Sequence, residues 1–292
     1  MGKHLNRAKA HFGTDTRGLL EGGRYALLHT RSMEFDDLRP YVPGDDVRDI
    51  DWKASARSGS VLIKRFVSEK HHKILLVADA GRNMSALAPS GECKRDVAAH
   101  VMGAVGLIGL RRSDQIGMVY GDRRGSVNVP QRRGETHIEG LLHRWYQHTM
   151  TDAGASDVTT QLDYVATHYR HTMLIIVVSD EPDLGQRGDE RLSAVLTRLR
   201  GRHDIMWAMV SDMPAVGPDN TDGYDVATGR FVLNGADLGP RVVAAYRRAE
   251  QARRARLATF LTGHSIPHAT IAGSDHIRRE LVGLTEVAAR AG

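Results

Sequence analysis

Four short apolar runs, each closed by an aspartate, constrain this chain more than any other feature. They are KILLVAD (Lys73–Asp79), TMLIIVVSD (Thr172–Asp180), DIMWAMVSD (Asp204–Asp212) and HATIAGSD (His268–Asp275). Apolar runs of this length without polar alternation read as strands buried on both faces. QIGMVYG (115–121) reads as a further strand, with SVNVPQ after it as a hairpin partner. Helical patterns at about 93–112, 136–149, 159–169, 189–201, 240–263 and 276–290 separate the runs. In the first of them Gly103, Gly106 and Gly109 stand at helical spacing, which predicts close packing on the sheet. Strands alternating with helices predict an α/β fold: a doubly wound, mostly parallel, Rossmann-like sheet flanked by helices. In such sheets ligands bind beyond the carboxyl ends of the strands. Asp79 and Asp180 are therefore candidate site residues, while Asp212 and Asp275 read as caps of the helices after them.

Composition narrows the function. The single cysteine, Cys93, allows neither an intrachain disulfide nor a cysteine metal cage, which fits a reducing compartment. The start, MGKHLNRAKAHFGTD, lacks the apolar stretch of a signal peptide. Runs such as Met173–Val178 are too short to span a bilayer. A cytoplasmic location is expected. Residues 1–32 look polar and weakly patterned. There is no G-x-x-x-x-G-K-[ST], no G-x-S-x-G and no H-E-x-x-H, and the 15 histidines are scattered, so no enzymatic activity is expected. The basic helix at 240–261 carries five arginines between 247 and 256, which raises a nucleic-acid-binding module as an alternative. It lacks aromatic stacking groups, and no nucleic acid is expected.

Met33–Arg57 mixes acids and cations with Phe35, Tyr41, Ile50 and Trp52. A merely solvated loop needs no such apolar groups, so a packed ion-pair network with aromatic anchors is expected. A second alternative takes the acids of 34–51 as a metal-dependent hydrolase or nuclease site. The run MEFDDLRPYVPGDDVRDIDWKASARSGSVLIKRF resembles the signature of the domain of unknown function 58 family, E-F-x-x-L-R-x-Y-x-x-G-D-x-x-R-x-I-D-W-x-x-S-A-R. Glu34, Phe35, Leu38, Arg39, Tyr41, Gly44, Asp45, Arg48, Ile50, Asp51, Trp52, Ser55, Ala56 and Arg57 match it.

The resemblance implies an N-terminal extension with extra strands over 1–70 and a von Willebrand factor A-like domain over 71–292. Domains of that kind often hold Mg²⁺ at the sheet top through D-x-S-x-S, a Thr and a later Asp, with a partner's carboxylate completing the shell. Here Asp79, Gly81 and Asn83 stand at the motif positions, Thr159 or Thr160 matches the Thr, and Asp180 the later Asp. Gly81 offers no ligand, and Arg82 beside it opposes a cation. The implied site is degenerate, with Asp79, Asn83 and Asp180 as the remaining Mg²⁺ ligands and no other cofactor. The resemblance further implies a non-enzymatic adaptor working with a MoxR-type AAA+ ATPase in chaperone-like maturation or assembly of client proteins.

Overall fold

The computed structural model of the chain describes residues 2–13, 33–68, 72–216, 223–232 and 239–290. They divide into two compact units: Met1–Leu28 with His72–Gly292, and His29–His71. The first helix, α1 (Lys3–Phe12), therefore belongs with the large unit rather than with the signature segment. It buries His4, Leu5, Ala8 and Phe12 along one face. The Glu139 carboxylate accepts the backbone N–H of His4 and Leu5 at 2.8 and 3.0 Å, which satisfies donors orphaned at the helix start. The reading of 1–32 as weakly patterned missed this helix; residues 14–32 of that reading lie outside the described residues.

In the small unit β1 (Met33–Pro40) pairs antiparallel with a strand at Leu62–Ser68, and α2 (Trp52–Ser58) lies between them in sequence. That second strand is β2. The signature residues explain this local fold. Gly44 turns the chain at φ +110°, where a side chain is strained. Arg39 grips Asp45 bidentately at 2.6 and 2.8 Å, and Asp45 also accepts the Val42 N–H at 3.0 Å. Asp51 caps α2 through the Ala54 N–H at 2.9 Å. The Ser55 hydroxyl donates to Asp51 O and accepts the Leu62 N–H, closing helix onto strand. Ile50 is buried, but Trp52 is 68% exposed and anchors nothing. The expectation of Trp52 as a packed anchor is thus corrected: it opens α2 on the solvent side. The side chains of Glu34, Phe35 and Arg48 lie outside the described residues.

The large unit is built on a six-stranded sheet. Its elements are β3 (Lys73–Asp79), α3 (Lys94–Arg111), β4 (Gln115–Asp122), β5 (Gly125–Arg132), α4 (Glu135–Thr151), α5 (Val158–His168), β6 (Leu174–Asp180), α6 (Gln186–Arg200) and β7 (Asp204–Val210). A two-stranded hairpin of β8 (Gly223–Tyr224) and β9 (Phe231–Val232) follows, then α7 (Pro240–Gly263), β10 (His268–Ile271) and α8 (Ile277–Arg290). The strand order is β10-β7-β6-β3-β4-β5, parallel except for the β4–β5 hairpin. This is the α/β fold the sequence predicts.

Both faces of β3, β4, β6 and β7 are buried, which is why these strands lack alternation. On β3, Ile74, Leu76 and Ala78 join the core beneath α1, α3 and α4, while Leu75 and Val77 join the core beneath α5 and α6. The glycines of α3 do more than approach the sheet. A Cβ on Gly103 would lie 2.4 Å from Ala8 Cβ, and one on Gly106 2.7 Å from Ile138 Cγ2. These two positions admit the neighbouring helices α1 and α4, and Gly109 alone of the three meets the sheet, at Ile116. Two strand-end readings change. Among the described residues no helix starts directly after Asp212, and β10 stops at Ile271, leaving Asp275 in a 3-10 turn ahead of α8 with its side chain 94% exposed. Along α7 only Leu257 and Leu261 are buried, and Val242 is 46% exposed, so the first half of the helix buries no apolar side chain.

Candidate functional site

After β3 the chain builds β4 and β5 to one side, and β6, β7 and β10 to the other. The order reverses between β3 and β6, where helices on opposite faces leave a crevice at the strands' carboxyl ends. Asp79 ends β3 and Asp180 ends β6, so the two carboxylates meet there. A cleft of about 530 Å³ opens above them, lined among others by Asn83, Ser156, Thr159, Glu181 and Arg191.

The loop after β3 is fixed from several sides. Trp145 Nε1 donates to Asp79 O at 3.0 Å, and Gly81 N–H donates to Asp79 Oδ1 at 2.8 Å. Asp79 Oδ2, buried, has no hydrogen-bond partner among the described residues. Burial first, and then the charge of Asp180, push the Asp79 carboxyl up from its ordinary 3.8 to about 7. The Gly81 N–H, the Ser156 hydroxyl and Lys94 work in the opposite direction. Asp180 is also pushed up, chiefly by burial and against the pull of Lys94.

The nearest cation is Lys94, the first residue of α3, whose side chain has no solvent exposure. Its Nζ donates to Asp212 Oδ1 at 2.6 Å and stands 3.7 Å from Asp180 Oδ2. Asn83 Nδ2 donates to the same Asp180 oxygen at 2.6 Å. Asp212 is thus a lysine partner and not a helix cap. A lysine in the first turn faces the positive end of the helix dipole, which disfavours it. The carboxylates across the sheet top offset that cost.

This donor set does not fit Mg²⁺. An ammonium already holds the charge-neutralising place beside Asp180, and Asn83 turns its amide N–H₂ rather than its oxygen toward the carboxylate. Mg²⁺ demands a near-octahedral shell of oxygens. Nor can a serine be restored at position 81: a Cβ there would lie 2.3–2.5 Å from Ser156 Oγ, Cα and N. Gly81 is therefore a packing requirement, set by the loop that carries Ser156.

That loop is placed by Asp122, a strand-end carboxylate the sequence reading passed over. Asp122 Oδ2 accepts the Gly154 N–H at 2.8 Å, and Arg124 grips Asp122 and holds its carboxyl well below the usual range. Ser156 Oγ in turn accepts the Asn83 N–H at 3.3 Å. Of the two threonines, Thr159 lines the cleft. Thr160 is drawn off into a network with Asp157 and Arg191, at 3.0 and 3.1 Å. Asp79, Gly81, Asn83, Thr159 and Asp180 are brought together; Lys94, Ser156, Asp122 and Asp212 were not foreseen. One signal for Lys94 was legible: a lysine at a helix start, against the dipole.

Elsewhere the alternatives lose groups. Asp45 is held by Arg39, and Asp51 caps α2 with Lys64 3.8 Å away, so neither is free to converge with the other acids of 34–51. In α7, Arg253 pairs with Glu181 and Glu250, and Arg254 with Glu250 at 2.9 Å, so two of the helix's arginines are engaged by carboxylates of the protein.

A mixed sheet flanked by helices, with a polar cleft at its switch point, defines an α/β domain of doubly wound type. The chain belongs to the family described as Protein of unknown function DUF58, whose model matches residues 37–237. It is similar to uncharacterized proteins of Mycobacterium tuberculosis and Mycobacterium bovis, each 24% identical over 259 residues, covering 86% of this chain and 78% of the relative. Among solved structures it is similar to a von Willebrand factor type A protein from Catenulispora acidiphila (TM-score 0.44, 12% identity, 79% of this chain). The chain spans 44% of that protein's length. It is also similar to the VWA domain of SpRpn10 (TM-score 0.40, 9% identity, 73% of this chain and 94% of that one). Among the described residues no helix is long and apolar enough to cross a membrane.

Proposed function

We propose that this chain is a non-enzymatic interaction protein whose sheet-top cleft receives a polar group of a partner, with Lys94 serving where related sites use a metal. The observation that carries this is Asp79. A buried carboxylate whose second oxygen has no hydrogen-bond partner among the described residues, at the floor of an open cleft, costs stability beyond what the single Gly81 bond returns. Costs of this kind concentrate where a site must meet a ligand. A hydrogen-bond donor from the partner would satisfy Asp79 Oδ2, and Arg123 at the wall suits an acidic residue beside it. The small unit supplies a separate contact: Trp52 at 68% exposure, with Val42, Val47 and Val61 also exposed. Exposed tryptophan is a frequent anchor of protein interfaces.

The partner we favour is a MoxR-type AAA+ ATPase, which would supply the energy for acting on a client while this chain presents it. Family membership and the lack of any nucleotide motif support this reading. The test is a pull-down of the full chain with its companion ATPase, with and without nucleotide. A complex is expected, weakened about tenfold or more in Trp52→Ala. That surface change should alter stability by no more than about 0.5 kcal/mol. No complex under either condition rejects the reading.

A further inference from the structure

Away from the cleft, three metal-ligating side chains from distant parts of the sequence meet. His11 lies near the end of α1, Glu92 precedes α3, and His100 lies on α3. One ligand atom from each falls within 4.8 Å of the others. We propose that His11, Glu92 and His100 form a site for a divalent transition metal of the Zn²⁺ class, clamping α1 to α3 within the large unit.

The surrounding bonds are those a metal site needs. His11 Nδ1 lies 3.5 Å from Asp275 Oδ1, and His100 Nδ1 lies 2.7 Å from Ser274 Oγ. The Ser274 hydroxyl orients the His100 ring through Nδ1, and Asp275 lies beside the His11 ring. Glu92 is fixed as well: its Oε2 accepts the Ser90 hydroxyl and the Ser274 N–H, each at 2.8 Å. Ser274 thus braces two of the three ligands. The two imidazole rings stack with centroids 4.6 Å apart, an arrangement that repels if both are charged.

Two imidazole nitrogens and one carboxylate oxygen suit Zn²⁺, Co²⁺ or Ni²⁺, and not the all-oxygen shells of Mg²⁺ or Ca²⁺. Zinc bonds of 2.0–2.1 Å put tetrahedral ligand atoms about 3.3 Å apart. The three groups must therefore close by about an ångström and a half at most. His11, whose side chain is 33% exposed, stands at the open side where such movement is available. Three protein ligands leave a fourth position for water or for a ligand from outside.

The test is calorimetric titration of the chelator-treated full chain with Zn²⁺, and with Co²⁺ followed by visible absorption. One ion per chain is expected, with Co²⁺ giving the intense bands of a tetrahedral site. His100 is buried and its removal threatens folding, so His11→Ala and Glu92→Gln carry the argument. Each should weaken Zn²⁺ about tenfold or more. Asp79→Asn should leave Zn²⁺ binding unchanged, which separates this site from the cleft. No saturable binding, or affinity unaltered in both ligand variants, overturns the proposal.

Discussion

Lys94→Met is expected to lower the free energy of unfolding by about 3–5 kcal/mol near neutral pH, the usual cost of removing one partner from a buried ion pair. Methionine keeps most of the volume, so the loss is electrostatic. Without the ammonium, Asp180 keeps only Asn83 at 2.6 Å, and Asp212 loses its 2.6 Å partner. Urea unfolding measured at equal slope for the two proteins reads the difference directly. Adding Asp180→Asn to the Lys94 variant should recover part of it, because the stranded charge is then gone. A loss below about 1 kcal/mol would mean that the ammonium is a bystander.

Asp79→Asn should behave in the opposite sense, and only at higher pH. The unfolded carboxyl titrates near 3.8 and the folded one near 7. Between those values the folded chain keeps a proton that the unfolded chain gives up, so stability falls as pH rises. The contribution is intact below the unfolded value and lost once pH passes the folded one. Asparagine has no such titration. The stability of Asp79→Asn relative to the parent should therefore rise by on the order of 4 kcal/mol between pH 4 and pH 8. Carboxylates held low, such as Asp122, lose stability in the acid direction, but they are common to both proteins and cancel. A difference that stays flat over this range contradicts the assignment. A gain in stability coupled to a loss of partner binding is what a residue kept for binding should show.

Most of the sheet was legible because its strands are buried on both faces. KILLVAD spans β3 residue for residue, and the order of strand and helix carried the topology. The cleft was half legible. Asp79, Asn83 and Asp180 could be placed at the sheet top from the motif and the strand ends. Lys94 could not, since its bond to Asp212 joins residues 118 apart. Asp212 was misread because capping is a local preference, and none of the described residues directly after it is helical. The His11, Glu92 and His100 cluster stayed hidden for the same reason: no spacing rule links residues brought together by the packing of α1 on α3. Trp52 misled because an aromatic among charges suggests a core, whereas α2 turns it outward.

The claim at the centre of this account is that Lys94 supplies the cation of the sheet-top site. Calorimetric titration of the full chain with Mg²⁺ and Mn²⁺, repeated on Asp79→Ala, tests it most directly. The account predicts no saturable heat from either protein at the sheet top. Stoichiometric heat in the parent chain that vanishes in Asp79→Ala would contradict it and restore a metal to the cleft.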